Sequence, residues 1–209
     1  MNTSLILALQ ILVIATPTPH STTGSMQRYE RAGPEAAWVP AGSPIRVSVG
    51  ARGISPQKKE GDRKTPAGHY PLGLAFGTAS PQEGSWPYYQ VRGPDLCVDD
   101  PRSASYGRLI GPEGTVAQPD WRSTEDLRMY RRAILVDYNR APAIAGKGSC
   151  IFLHDWAYID EPTLGCAAMR SEDLDLILHW LRPAAKPAIL IGVAPSPSDL
   201  LPAPTTRSR

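Results

Sequence analysis

The chain consists of short apolar runs separated by turn-forming residues, a pattern typical of strands rather than of long helices. Apolar runs at 11–14, 133–138 and 149–155 predict buried strands, and the apolar–polar alternation at 45–49 predicts a half-buried one. Further short strands are predicted at 25–29, 38–39, 70–74 and 188–191. The stretches 50–68 and 76–118 are predicted to be loops and turns.

Two segments predict helices. Ser123 precedes Asp126 by three residues, which is typical of a helix N-terminus with Ser123 as the N-cap, and this helix is expected to end near residue 131. A second helix is predicted to begin at Ser171 and to end before Pro183. Its apolar residues recur at spacings of three and four: Leu174, Ile177, Leu178 and Leu181. The sequence therefore predicts a mainly β domain with two short α-helices.

Composition supports a folded domain and excludes some functions. Hydrophobic residues make up 42% of the 209 residues, enough for a buried core, and 22 prolines favour long irregular connections. The formal net charge is only +2, which provides no basic field for binding nucleic acid. No apolar run approaches the roughly 20 residues of a membrane-spanning helix, so no membrane span is predicted.

The chain is predicted to hold one domain at 10–193, preceded by an extension at 1–9 and followed by a Pro-rich, disordered tail at 194–209. Residues 5–15 are apolar apart from Gln10 and are similar to the core of a secretory signal. The first basic residue is Arg28, however, and the run at 11–14 is equally a good buried strand. From these residues alone, a cleaved signal and a first strand both remain open.

Candidate chemistry lies in the C-terminal half, where His154 ends a predicted strand and Gly165-Cys166 precedes a predicted helix. A thiol becomes a nucleophile when a base takes its proton, and His154 is the candidate base for Cys166. Gly165 leaves room for a carbonyl oxygen to approach backbone amides, and Asp155 is a candidate to orient the imidazole through its carboxylate or its carbonyl. On spacing alone, buried structural roles for the pair are the simpler interpretation. A zinc site with Cys150 lacks the usual ligand spacing, so no metal is predicted.

Three motifs occur in an order that resembles the L,D-transpeptidase (YkuD-like) catalytic domain family. They are EGDRKTPAG at 60–68, GSCIFLH at 148–154 and PTLGC at 162–166. Shorter stretches at 98–101, 136–139 and 178–181 are also similar to members of this family, and the resemblance extends from about residue 10 to residue 192.

The resemblance implies a β-sandwich enzyme, without a cofactor, that acts on the stem peptides of bacterial peptidoglycan. The cysteine attacks the carbonyl of a diamino acid and releases D-alanine, and the acyl group passes to an amine (cross-linking) or to water (hydrolysis). By position, Cys166 is the nucleophile and His154 the base, while Gly165 lies in the oxyanion region. Thr65 and Pro66 are expected to line the substrate groove, and Thr163 occupies the Ser/Thr place of the family motif. A monomer in the cell envelope is expected, and the resemblance favours residues 10–16 as a first strand.

The sequence also departs from the family pattern. Leu164 replaces the histidine of the usual Ser/Thr-His-Gly-Cys motif, and Ala168 replaces the Arg or Asn that follows the cysteine by two residues. Arg170 or the loop containing Lys58 and Lys59 are candidates to bind the substrate instead. These departures motivate an alternative, a cell-wall-binding module with the same fold and no turnover. Cross-linking and hydrolysis both remain open.

The cysteine count leaves the redox state open. Cys97 and Cys150 are predicted to form either a disulfide or two buried thiols, and a small buried thiol is the simpler interpretation for Cys150, since it shares a strand face with Phe152 and His154.

Overall fold

The computed structural model describes residues 7–202, and these residues form a mainly β structure as predicted. The strands are β1 (Gln10–Thr16), β2 (Thr23–Glu30), β3 (Val39–Pro40), β4 (Ile45–Ser48), β5 (Ile54–Ser55), β6 (Thr65–Pro66), β7 (Gly68–Gly77), β8 (Tyr88–Gln90), β9 (Leu96–Val98), β10 (Leu109–Ile110), β11 (Thr124–Asp126), β12 (Ala133–Val136), β13 (Phe152–Asp155), β14 (Ala167–Met169) and β15 (Ala188–Val193). One α-helix, α1 (Ser171–Trp180), lies within the described part of the chain.

The main sheet closes on itself. Its strands run in the order β1, β15, β7, β12, β13, β14, β4 and β2, and β2 pairs again with β1. The architecture is therefore barrel-like, and the predicted sandwich is not clearly present. The reason lies in β1, which pairs in parallel with β15 on one side and antiparallel with β2 on the other, so that neither of its edges is left open.

Several strands of this sheet are buried on both faces, which explains their continuous apolar sequences. In β12, Ile134 and Val136 belong to the main core, while Ala133 and Leu135 face a second cluster. We call this second cluster the Cys166 cluster, and its buried members are Phe76, Val91, Cys97, Leu109, Leu127, Ala133, Leu135, Cys150, Phe152 and Cys166. It lies between the main sheet and a three-stranded sheet formed by β10, β9 and β11.

The helix predicted to begin at Ser171 is present, but the helix predicted from Ser123 is not. In α1, Leu174, Ile177 and Leu178 are buried in the main core, as their spacing indicated. Residues Thr124–Asp126 instead form β11, which pairs with β9, and a 3-10 helix, Leu127–Met129, follows. Pairing with β9 overrides the local cap signal. The Asp126 side chain instead caps the 3-10 helix by accepting a hydrogen bond from the N–H of Arg128.

The predicted loops and tail contain structure that the apolar pattern did not reveal. Short strands β5 and β6 lie in the segment 50–68, and β8 to β10 lie in 76–118; strands of two or three residues are too short to show periodicity. The prediction of a disordered tail is wrong for residues 194–202. Within them, Pro197–Leu200 forms a 3-10 helix in which Pro197 is buried, and Leu200 packs beside β1. Positions 1–6 of the predicted extension and 203–209 of the tail lie outside the described residues.

Over residues 7–202, no helix has both the length and the apolar character that a membrane crossing requires.

Candidate active site

Cys166 and His154 lie on neighbouring strands of the main sheet. Strands β13 and β14 pair in parallel, with His154 opposite Ala168 and Leu153 opposite Ala167. Continuing this register by one residue sets Cys166 beside Phe152, and because alternate residues share a face, Cys166 faces the same side as His154. The backbone N–H of Phe152 donates to the Cys166 sulfur at 3.3 Å, which fixes the thiol against β13.

The imidazole of His154 is oriented by a backbone carbonyl. Its Nδ1 lies 2.9 Å from the carbonyl oxygen of Asp155. Because a carbonyl oxygen can only accept, Nδ1 carries the proton, and Nε2 of the neutral ring is the basic nitrogen. The Asp155 carboxylate is engaged elsewhere, with Arg131 at 2.8 Å and the Ser171 hydroxyl at 3.0 Å. Asp155 was predicted to orient the imidazole through either its carboxylate or its backbone carbonyl, and in the structure the backbone carbonyl does so.

Both members of the pair are held in their neutral forms. Burial raises the pKa of the Cys166 thiol, and the nearby Glu125 carboxylate raises it further, while the N–H of Phe152 and the charge of Lys58 lower it. Burial also lowers the pKa of His154, against the opposing effect of the Asp155 carbonyl. Cys166 is only 8% exposed, and its thiol donates to the carbonyl of Cys150 at 3.5 Å. No hydrogen bond joins the sulfur to the imidazole, both of which lie within residues 7–202.

An aromatic wall encloses this pair. The ring centroid of Tyr130 lies 5.2 Å from that of His154 and 5.4 Å from that of Phe152, and Phe76 packs edge-on against Phe152 at 5.0 Å. The Tyr130 hydroxyl donates to Glu125, and burial, the main cause, raises the pKa of that carboxyl to about 7. Tyr130 and Glu125 were not predicted as site residues, because both fall within the helix predicted from Ser123, which does not form.

The two threonines of the motifs hold the backbone of Cys166, the predicted nucleophile. The hydroxyls of Thr65 and Thr163 both donate to the carbonyl oxygen of Cys166, at 2.8 Å and 2.7 Å. Thr65 also accepts from the N–H of Gly50 at 2.8 Å, and Thr163 accepts from the N–H of Gly165 at 3.1 Å. These hydrogen bonds fix the turn that leads into Cys166. The Gly165 amide is thereby occupied and does not point freely toward a substrate.

The acidic residues of the EGDRKTPAG motif are bonded inside the protein. The Glu60 carboxylate accepts from the hydroxyls of Tyr106 at 2.5 Å and Ser149 at 2.7 Å, which connects this loop to the segment just before Cys150. The Asp62 carboxylate forms an ion pair with Lys58 at 2.9 Å. Pro66, which was expected to line the substrate groove together with Thr65, lies in β6 and is buried.

The residues discussed as departures from the family motif, or as substitutes for it, differ in how close they lie to Cys166. Arg170 is exposed and pairs with Asp173 of α1 at 3.1 Å, rather than with a member of the Cys166 cluster. The Leu164 side chain is 74% exposed, and Ala168 is buried in β14. Lys58, in contrast, is buried: its side chain is 3% exposed.

Cys97 and Cys150 form a disulfide, so the simpler interpretation of Cys150 as a buried free thiol is wrong. The disulfide connects β9 of the small sheet to Cys150, whose backbone carbonyl accepts a hydrogen bond from the Cys166 thiol. Cys166 is the remaining free cysteine. No group of three or more His, Cys, Asp or Glu side chains in the described ranges is arranged to hold a metal ion.

Comparison with known families agrees with the motifs. A family model described as the L,D-transpeptidase catalytic domain (YkuD) matches residues 22–190, which include every site residue described above. No curated protein and no solved structure matches the chain.

Proposed function

The chain belongs to the L,D-transpeptidase catalytic domain family, and from this premise we propose that it is a cysteine acyltransferase acting on peptidoglycan stem peptides. The observation that carries the proposal is the arrangement of Cys166, His154 and the Asp155 carbonyl on adjacent strands. It supplies the three parts of a nucleophile–base–acceptor triad.

Acylation proceeds from the neutral pair. The Cys166 proton passes to Nε2 of His154, and the sulfur forms a bond to the carbonyl carbon of the diamino acid while the C=O electrons move onto the oxygen. When the tetrahedral intermediate collapses, its C–N bond breaks, and the D-alanine nitrogen takes the proton from the imidazolium. A thioester to Cys166 remains. The Asp155 carbonyl stabilises the imidazolium during these steps, because it accepts from Nδ1–H.

Deacylation reverses the roles. An amine or a water molecule gives a proton to Nε2 of His154 as it attacks the thioester, the C–S bond breaks, and the proton returns to the sulfur. The same residues serve cross-linking and hydrolysis, and the acceptor alone determines which product forms.

The burial of Cys166 and its missing hydrogen bond to His154 favour a second candidate, a cell-wall-binding domain without turnover. The two functions make different demands on the thiol. An acyltransferase must expose the sulfur to a carbonyl carbon and bring it to the imidazole when substrate binds, whereas a binding domain does not need the sulfur at all.

An extracytoplasmic location is part of the proposal, because stem peptides lie outside the cytoplasmic membrane. The Cys97–Cys150 disulfide supports it, since disulfides persist mainly in oxidising compartments.

The test is D-alanine release from tetrapeptide stems by the purified protein. We expect release by the wild type, none by Cys166→Ala, and a mass increase of the intact wild-type protein when a carbapenem is added as an acyl trap. Sedimentation of the wild type with peptidoglycan, together with equal and negligible release by wild type and variant, would establish the binding domain instead.

A further inference from the structure

Lys58 is a buried cation next to the nucleophile. Lysine is almost never fully buried unless it is paired, and the Lys58 side chain is 3% exposed. Its ammonium lies 2.9 Å from the Asp62 carboxylate and 3.4 Å from the carbonyl of Lys59. An ammonium has three donors, so these two acceptors leave one N–H of Lys58 for another partner.

Two glycines make space for this side chain at the site. A Cβ atom added at Gly165, the residue before the nucleophile, would lie 3.2 Å from the Lys58 ammonium nitrogen. A Cβ atom at Gly148 would lie 2.8 Å from Cε of Lys58 and also collide with the rest of its stem. A Cβ atom at either position would therefore press against the Lys58 side chain. The ammonium is therefore held within contact distance of the oxyanion region.

Several groups expected to bind the substrate near Cys166 are absent or already bonded. The Gly165 amide already donates to the Thr163 hydroxyl, and Ala168 carries no polar group where the family pattern has Arg or Asn. Arg170 is turned to Asp173. The Lys58 ammonium, which comes from the loop just before the EGDRKTPAG motif, brings a positive charge to the same region.

We propose that Lys58 is a catalytic residue, which donates a hydrogen bond from its ammonium to the substrate carbonyl oxygen as Cys166 attacks; this rests on the proposed function. As the C–S bond forms, the C=O electrons move onto the oxygen, and the Lys58 N–H binds that oxygen and keeps its proton. When the intermediate collapses, the oxygen returns to a carbonyl and the hydrogen bond weakens. Asp62 is a positioning residue, since it holds the ammonium in place.

The electrostatics of Asp62 and Cys166 agree with this assignment. Although burial raises the pKa of Asp62, hydrogen bonds from the N–H of Lys59, from the Lys58 ammonium and from the N–H of Lys64 leave it below its usual value. Asp62 is thus an anion that retains the cation. The Lys58 charge also acts on Cys166, lowering its pKa against the effects of burial and Glu125.

The test compares Lys58→Met, Lys58→Met/Asp62→Asn and Lys186→Met in the full-length protein. Lys186 is the matched control, because it is the same residue type, is exposed, and lies in the turn before β15, outside the segments that contact Cys166. We expect Lys58→Met to lower kcat for D-alanine release about 100-fold with little change in KM, as removal of an oxyanion donor does. Lys186→Met should leave kcat unchanged. The double variant removes both charges and so avoids an unpaired Asp62; we expect it to unfold at the wild-type temperature but to retain the loss of kcat.

A folded double variant with wild-type kcat would overturn the role of Lys58. Alkylation of Cys166 by iodoacetamide separates this result from a failure of the proposed function, because it needs no turnover. At fixed alkaline pH we expect the alkylation rate to fall about tenfold in Lys58→Met and in the double variant, since the thiolate is the reactive form. If the wild type releases no D-alanine, a reduced alkylation rate still supports a lysine directed at this site, and an unchanged rate refutes it.

Discussion

At the scale of single residues, the site depends on two hydroxyls that converge on one carbonyl oxygen. Thr163 donates to the Cys166 carbonyl and accepts from the Gly165 amide, so Thr163→Val leaves the buried Gly165 N–H without its acceptor and the carbonyl with Thr65 as its remaining side-chain donor. We expect this variant to lower the free energy of unfolding by about 1–3 kcal/mol and to lower kcat as well. Thr163→Ser keeps the hydroxyl and is the control. Urea unfolding measures the effect, and equal stability of the Val and Ser variants would show that the hydroxyl does not hold this turn.

The buried imidazoles predict a pH dependence of stability. Burial lowers the pKa of both His154 and His69, and neither nitrogen of the buried His69 ring has a hydrogen-bond partner in the described structure. At pH values below the ordinary histidine pKa of about 6.5, these two histidines therefore bind more protons in the unfolded chain than in the folded protein. The stabilisation from the neutral rings is fully present above that pH, and it is lost as the pH falls toward the folded-state pKa values.

Between pH 7 and pH 5 we expect the free energy of unfolding of the wild type to fall relative to that of His69→Gln/His154→Gln. Glu125 acts in the opposite direction in both proteins, because burial raises the pKa of its carboxyl to about 7 and the folded state binds that proton more tightly. Thermal unfolding at a series of pH values in this range measures the slope. A double variant with the full wild-type slope would assign the pH dependence to other groups.

At the scale of elements, the Cys97–Cys150 disulfide connects the small sheet to the segment that contacts Cys166. The bonded residues are 53 positions apart in sequence, and closing a loop of that size stabilises the folded state by about 4 kcal/mol in the chain-entropy model. We expect Cys97→Ala/Cys150→Ala to lose stability of this order and to react faster at Cys166 with iodoacetamide. Cys166→Ala, which keeps the disulfide, is the control for stability. Equal unfolding midpoints for the two variants would contradict the prediction.

The elements that the sequence predicted well are those whose residues face a core along their whole length. The run at 11–14 and the spacing in α1 are dictated by burial, and both appear in the structure. The helix predicted from Ser123 failed because its cap signal is local, while β9 provides the pairing partner for Thr124–Asp126 from another part of the chain. The motif order predicted Cys166 and His154 as a pair, and the loop containing Lys58 was already a candidate. The effect of Glu125 on the pKa of Cys166, in contrast, depends on a contact between segments distant in sequence and could not be predicted from the local pattern.

At the scale of the whole molecule, closure of the sheet by β1 decides whether the barrel-like architecture can form. The strand is buried along its entire length, with Leu12 and Ile14 in the main core and Ile11 and Val13 in the cluster on the opposite face. Removing it would open one edge on β15 and another on β2 and would expose both cores.

We therefore expect a chain that begins at Thr16 to lack cooperative unfolding, whereas a chain that begins at Leu7, which keeps all of β1, retains a cooperative transition. Circular dichroism during heating distinguishes them, since loss of a central strand abolishes a two-state transition rather than shifting it by a few degrees. The comparison also decides between the two interpretations of residues 5–15, because a segment that the barrel needs for closure is not one that can be cleaved near Ala15. A stable, cooperative chain beginning at Thr16 would mean that β1 is dispensable, and that the neighbouring strands β15 and β2 can rearrange without it.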